Sequence, residues 1–435
     1  MTGDVSDETY SKVSWRLVPF LLVCYVFNYI DRINIGIAQL QFKQDLGFSD
    51  AVYGLGAGLF FVGFLLFEVP SNLVLARVGA RKTLFRIMIL WGLVSAGTMF
   101  VRTPAEFYAA RLLLGAAEAG FFPGVILYLT YWYPTERRAR ITSRFLLALP
   151  IAGTIGSPVS GFLMSALEGV LDYRGWQWLL LVEGLPSVAL GILAYFYLDD
   201  GPATASWLTA AEKKHVVETL AAEASRKGGS RGHGLAHALR DPRVYIAGAV
   251  SFASYSLANT IAFWSPSVIQ SAGVADVRSV GVLSAIPFLV GALAMLVVSS
   301  HSDRTLERRW HAAVPLAVAA SSVSMLPWFS GSPAISVALL ALTSAGHYAA
   351  LAVFWTIPSD YLSRSEAAGG IAMVSTIGAL GGAIAPILLG SVKTMTGNLH
   401  YGLYVIAGMA ALGSIILLVG IAAPTTDVRR RLDSV

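Results

Sequence analysis

Asp31 and Arg32 stand side by side inside the first long apolar run of this chain, and Arg111 and Glu118 stand inside the fourth. At bilayer depth each such group costs at least ~2.5–3.5 kcal/mol even on the gentlest insertion scale, so its retention points to a route for ions or substrate. Two carboxylates can carry protons, and two guanidiniums can hold an anion. The chemistry open to this set is the coupling of proton binding to the passage of an organic anion.

Helical spacing sorts these residues. Tyr25, Tyr29 and Arg32 follow at i, i+4 and i+7 and share a face, while Asn28, Asp31 and Ile35 occupy the neighbouring one. Asp31 and Arg32 lie ~100° apart around the helix, so they need not pair with each other. Arg111 and Glu118 share one face ~10.5 Å apart along the axis, which leaves room for a partner from the first run between them. A fixed ion network is the plainer reading of the four. Hydrophobic replacement of such networks is often no less stable, which favours function, with Asp31 and Glu118 as the protonation sites.

Other polar residues in apolar runs are weaker candidates. Glu68, in Phe67-Glu68-Val69-Pro70-Ser71-Asn72, and Glu183, in Val182-Glu183-Gly184-Leu185-Pro186, are expected to accept hydrogen bonds from helix ends or neighbouring arginines as parts of a gate. Asp360 ends the tenth run and can help to close that side. His347 can titrate near neutral pH, although a lone histidine in an apolar run is more often a packing residue. Tyr25, Tyr29, Phe121, Phe122, Trp264, Tyr348 and Trp355 recur where a cavity would lie. Most such aromatics pack or anchor at the interface, but Trp264 and Trp355 fall mid-run or beside the expected cavity, in the second half, and are candidates for substrate contact. No nucleotide loop, metal-ligand cluster or nucleophile–base set is present, so neither an enzyme nor a cofactor or metal is expected.

The elements that must position these residues are membrane helices. The chain has 435 residues, 55% hydrophobic and 13% charged, with mean hydropathy +0.65, far too little charge for a soluble protein of this length. Apolar runs cover about 14–37, 51–75, 83–101, 106–131, 142–166, 177–198, 243–270, 279–300, 311–329, 334–358, 367–392 and 401–423. The polar stretch 199–242 divides them six and six, the layout of a two-half carrier. The expected fold is an all-α membrane protein of twelve transmembrane helices, with six-helix halves over 1–198 and 243–435. No cleavable signal is evident, and Cys24 cannot form an internal disulfide.

One set of loops holds 24 Lys and Arg residues and the opposite set holds 5, which places both termini and the central loop in the cytoplasm. The sequence pI of about 9.2 reflects that asymmetry rather than a nucleic-acid footprint. Within the central loop Thr209 and Glu212 fit a capping box opening an amphipathic helix, followed by an Arg226–Ser230 linker; the loop is expected to lie as a tether along the membrane surface. Gly153-Thr154-Ile155-Gly156-Ser157-Pro158 in the fifth run echoes Ser375-Thr376-Ile377-Gly378-Ala379 in the eleventh, small residues that permit close helix approach.

These residues carry a resemblance. Asn28-Tyr29-Ile30-Asp31-Arg32-Ile33-Asn34, Glu68-Val69-Pro70-Ser71-Asn72 leading to Arg77-Val78-Gly79-Ala80-Arg81-Lys82, and Arg111-Leu112-Leu113-Leu114-Gly115-Ala116-Ala117-Glu118-Ala119-Gly120-Phe121-Phe122-Pro123-Gly124 mark the first half. Trp132-Tyr133-Pro134 with Glu136-Arg137-Arg138 follows. Phe263-Trp264-Ser265-Pro266, Ser302-Asp303-Arg304, Phe354-Trp355-Thr356-Ile357-Pro358 and Gly378-Ala379-Leu380-Gly381-Gly382 mark the second. With these motifs the chain resembles, over nearly its whole length, the major facilitator superfamily, and within it the anion:cation symporters, among them tartrate, phthalate, hydroxyphenylacetate and hexonate permeases.

The resemblance implies coupling carboxylates at Asp31 and Glu118, anion contact by Arg32 with Tyr29 beside it, a network role for Arg111, and second-half contacts from Trp355 and Ser375. The family often has asparagine at Ser375 and again at Ala379, and hexonate carriers tend to have a small hydroxyl where Ala352 stands. Without that hydrogen-bonding capacity the site suits a less hydroxylated carboxylate, aromatic or tartrate-like. The superfamily's loop motif usually has aspartate where Ala76 stands, while Asp303 keeps the acid in the other half. One gate therefore relies on Arg77, Arg81 and Lys82, alone or with Glu136 and Arg137, and the other on Asp303 and Arg304.

The resulting expectation is proton-coupled uptake of a small organic anion by alternating access, by a monomer in a bacterial inner membrane. A facilitative or sodium-coupled carrier or exchanger is the alternative, with a hexonate symporter behind it. A drug/proton antiporter is disfavoured, because Ser157 separates Gly156 from Pro158 and the arginines repel cations.

Overall fold

The computed structural model describes residues 2–226, 240–357 and 364–420. Twelve of its helices are long and apolar enough to cross a bilayer. Spans one to six are Asp7–Leu46, Asp50–Val78, Ala80–Phe100, Pro104–Thr130, Ala148–Ala166 and Gly175–Tyr197. Spans seven to twelve are Pro242–Ser271, Val277–Thr305, Arg309–Phe329, Pro333–Phe354, Gly369–Thr396 and His400–Gly420. The chain reverses at every connection, so the N-terminus and the central segment share one side of the bundle, here the tail side, and the opposite ends form the far side.

Local chemistry sets several helix ends. Ser49 caps span two by accepting from the Val52 N–H (3.2 Å), and Thr103 and Glu106 form a capping box at the start of span four (3.3 and 3.2 Å), each satisfying donors that a helix N-terminus leaves unpaired. Span four is interrupted just beyond Glu118, two residues on, where Gly120 takes φ +87°, a left-handed conformation that side chains resist. The helical ladder of span one is likewise interrupted at Asn34. The fifth run proves to be two elements, a helix over Thr135–Leu146 and the span Ala148–Ala166.

Close approaches tie the halves together. An added Cβ on Gly54 would fall 2.3 Å from the Pro386 carbonyl of span eleven, and one on Gly281 would fall 2.6 Å from the Ser157 carbonyl of span five. In a bilayer such contact between small residues replaces the hydrophobic effect as the source of helix association.

The central helix, Ala210–Arg226, departs from the expected surface tether. Its capping box forms, with the Thr209 N–H donating to Glu212 (2.7 Å) and the Glu212 N–H to Thr209 Oγ1 (3.3 Å). The helix then docks on the first half: Val216 is fully buried, Glu212 pairs with Lys12 (3.0 Å), and the Thr135 N–H donates to Glu223 (3.1 Å). Just before it, Trp207 stacks on Trp132 at 5.5 Å. The first half covers Val216 completely and sets Tyr10 edge-on to His215 at 6.1 Å, so the apolar side of the helix packs on the bundle.

Candidate functional site

Span one presents two faces at mid-depth, and the packing treats them differently. On the first, Arg32 reaches span four and pairs with Glu118 (Nη2 to Oε2, 2.9 Å). The Arg32 side chain keeps 18% of its surface exposed and Glu118 none. Arg111 meets the same Phe60 ring as Arg32: the two guanidinium carbons stand 5.0 and 5.1 Å from its centroid. Arg111 is 2% exposed, and its Nε and Nη2 have no hydrogen-bond partner. One buried and one partly exposed guanidinium thus stand against one carboxylate, leaving a net positive charge where desolvation makes charge expensive. Cation–π contact with Phe60 offsets ~0.5–2 kcal/mol of that for each.

Aromatics line the approach to Arg32. Tyr25 stacks on Phe145 at 4.7 Å and 4° between planes, and on Phe122 at 5.3 Å. Tyr29 faces Tyr348 of span ten. Tyr255 of span seven lies near both Arg32 and Tyr29 and packs on span eleven at Gly378. Ser375 is partly buried one turn before Gly378, and Trp355, also partly buried, ends the helix of span ten. Tyr255 is the lining residue that sequence reasoning missed, since a tyrosine in an apolar run carries no signal until two helices are packed.

The other face holds no arginine. Asp31, 1% exposed, accepts from Trp91 Nε1 (3.0 Å) and Ser95 Oγ (2.8 Å) of span three and from Ser187 Oγ (2.8 Å) of span six. That convergence depends on the close contact of spans three and six: a Cβ on Gly184 would fall 2.7 Å from the Ala96 nitrogen, and one on Gly92 would fall 2.8 Å from the Gly184 carbonyl. Glu183, one turn from Ser187, accepts from Ser160 Oγ of span five (2.7 Å). Neither Asp31 nor Glu183 makes an ion pair among the described residues. The expectation that arginines hold Glu183 as part of a gate is therefore corrected.

Trp264 also changes place. It is fully buried, meets Tyr53 edge-on at 5.3 Å, and lies 6.0 and 5.8 Å from the Lys43 and Lys393 ammonium groups. These belong to a far-side seal rather than to a substrate surface. Asp50 of span two bridges Lys43 of span one and Lys393 of span eleven, the latter at 3.2 Å. Tyr53 and Gln39 both donate to the Phe263 carbonyl of span seven (3.0 and 2.5 Å).

The tail-side gate candidates do not meet across the halves. Arg81 donates to the Tyr195 carbonyl and to Asp200 (3.0 Å, backbone N–H) of its own half rather than to Glu136. Arg137 pairs with Asp7, Asp303 pairs with Arg308, and Arg77, Glu136 and Arg304 are exposed. Glu68 is partly buried and its backbone carbonyl accepts from Asn72 (2.9 Å). Asp360 lies outside the described residues. Of the ion pairs among the described residues, the one joining the two halves is at the far side. His347 is buried beside Ser254 (3.2 Å) and edge-on to Tyr348.

The family model of the Major Facilitator Superfamily matches residues 21–386 and 275–433. Metabolite transport protein NicT of Pseudomonas putida, itself a provisional assignment, is 44% identical over 97% of this chain and 95% of its own length. A protein of Agrobacterium vitis, provisionally assigned as a tartrate transporter, is 41% identical over 96% and 92%. A quinolone resistance transporter of Acinetobacter baumannii is 37% identical over 95% of each. Among solved structures, the xylose transporter XylE from E. coli in a partially occluded inward open conformation matches with TM-score 0.73 at 12% identity, covering 95% of this chain and 98% of that one.

Proposed function

The chain belongs to the Major Facilitator Superfamily, as a multi-pass inner-membrane transporter and not an enzyme, and we propose that it imports a small organic anion together with protons by alternating access. One observation carries this reading: the Arg32–Glu118–Arg111 set holds two guanidiniums against one carboxylate, with unpaired Arg111 nitrogens and a partly exposed Arg32. An anionic carboxylate arriving at Arg32 balances that charge.

The basic-residue asymmetry supports a cytoplasmic tail side, with the far side, closed by Asp50, Lys43 and Lys393, facing outward. In the proposed cycle, protons arriving from outside neutralise Glu118 and Asp31. Neutral Glu118 releases Arg32 to the substrate carboxylate. The halves, 1–198 and 243–435, then rock around the filled site. On the cytoplasmic side Glu118 loses its proton, recaptures Arg32 and expels the anion.

Asp31 stands apart from the arginines, held by hydroxyl and indole donors. Its Oδ2 is held by the Trp91 N–H, a group that can only donate, whereas Ser95 at Oδ1 can turn and accept. The proton therefore binds at Oδ1. Its arrival reverses one hydrogen bond in the contact between spans one and three, which links protonation to helix packing.

The aromatic lining from Tyr25, Tyr29, Tyr255 and Tyr348, with no amide at positions 375 and 379, supports an aromatic or tartrate-like carboxylate. The test is uptake into proteoliposomes of labelled 4-hydroxyphenylacetate, phthalate, tartrate and galactonate, with an inward proton gradient, with a sodium gradient, and with neither. Proton-stimulated uptake of an aromatic acid or tartrate is expected. Uptake driven by sodium, or indifferent to both gradients, overturns proton coupling, and preference for galactonate overturns the substrate reading.

A further inference from the structure

We infer that Glu183 is a third proton-carrying site, separate from Asp31 and from the Arg32–Glu118 pair, so that one substrate anion crosses with one more proton than Asp31 and Glu118 account for. The inference rests on the proton-coupled reading above and extends it.

The geometry begins with two turns of helix that face each other. On span one, Asp31 and Asn34 are three residues apart and share a face; on span six, Glu183 and Ser187 are four apart and do the same. Ser187 donates to Asp31 (2.8 Å), which fixes the register, and Asn34 is brought beside Glu183. Both side-chain polar atoms of Asn34, 1% exposed, and Oε2 of Glu183, 4% exposed, have no hydrogen-bond partner. A buried amide and a buried carboxyl oxygen that lie side by side without a close hydrogen bond form an arrangement that folding alone does not favour.

A proton resolves it. Protonated at Oε2, Glu183 can donate to the Asn34 carbonyl, while its Oε1 keeps the bond from Ser160 (2.7 Å). When ionised it can instead accept from the Asn34 amide nitrogen. Asn34 can serve either state by turning its amide over, and it sits where the helical ladder of span one is already interrupted.

The groups around Glu183 leave no other charge to answer it. Span one contributes Asn34 and Asp31, span five contributes Ser160, and span three contributes Trp91 and Ser95, which are engaged with Asp31. No lysine, arginine or histidine pairs with it among the described side chains. An ionised Glu183 would therefore sit unpaired near a second carboxylate at mid-depth, which membrane proteins retain chiefly along proton paths.

The experiment measures the ratio of protons to substrate in proteoliposomes, from the voltage at which net flux reverses, for the wild type and Glu183→Gln. The probe is whichever acid of the panel above the wild type transports. Wild-type coupling to protons is the control: its absence would overturn the parent reading, whereas wild-type coupling with an unchanged ratio in Glu183→Gln overturns this inference alone. The expected result is a ratio lower by one proton in Glu183→Gln. Should that variant be inactive, a hydrophobic carbodiimide, which adds to protonated carboxyls in apolar surroundings, is applied to the wild type and mapped by mass spectrometry. An adduct on Glu183 that increases as pH falls supports the assignment, and no adduct at any pH overturns it.

Discussion

Arg32 and Asp31 are adjacent in the chain, yet the molecule gives them opposite surroundings. On the Arg32 face, cations outnumber carboxylates, Arg111 nitrogens go unpaired, and the arginine is partly exposed. On the Asp31 face no cation pairs with the carboxylate among the described residues; three donors hold it, and it is 1% exposed. An under-satisfied cationic face is ready for an anion that comes and goes. A closed, neutral face built of hydroxyls and an indole is ready for a proton that changes helix contacts. The difference teaches that a carrier can keep substrate charge and proton charge ~100° apart on one helix and couple them through that helix's packing rather than through a shared salt bridge.

The comparison breaks most readily at Arg32. Arg32→Gln leaves Glu118 buried without its cation, a loss of about 3–5 kcal/mol, so both net uptake and substrate exchange should fall on the order of a hundredfold or more. The double variant Arg32→Gln/Glu118→Gln should recover neither transport nor full thermal stability, because Arg111 is left buried without a carboxylate. Recovery of transport in the double variant would show that the arginine face is structural.

A subtler change sharpens the other face. Trp91→Phe removes one donor to Asp31 without changing ring packing much, and a hydrogen bond to a charged group is worth about 1.5–3 kcal/mol. Losing it disfavours the ionised carboxylate, so the pH midpoint of uptake should move upward by about 1–2 units, with substrate exchange at saturating pH unaltered. A change in substrate affinity with no pH movement would mean that the two faces are not separate.

The smallest effect belongs outside both faces. Asp50→Asn removes the bridge between Lys43 and Lys393, a partly exposed contact worth about 1 kcal/mol or less. It should shift the population toward the outward-open state by up to about fivefold, read from spin-label distances across the far side, with substrate affinity unchanged.

Much of this was present in the sequence. Apolar runs give all twelve spans, and the seven-residue spacing of Arg111 and Glu118 left room for a partner from span one; Arg32 of that span pairs with Glu118. The donors of Asp31 could not be read in the same way. Trp91, Ser95 and Ser187 are ordinary residues on two different helices, and they converge because Gly92 and Gly184 let those helices touch. Trp264 misled for the same reason: its position along span seven suggested a cavity, but the packing of spans one, two and eleven around it makes a seal. The docked central helix was visible as a capping box opening an amphipathic helix, but its acceptor surface, made of Tyr10, Trp132 and Tyr133, comes from two stretches far apart in the chain.

The separation of proton face from substrate face is tested most directly by Asp31→Asn in proteoliposomes, with gradient-driven uptake and substrate counterflow measured on the same preparation. The account predicts that uptake against a substrate gradient is lost while counterflow persists at a rate within about threefold of wild type, because an amide cannot release a proton yet leaves Arg32 and Glu118 in place. Equal loss of both activities, or accumulation that survives the substitution, would contradict it.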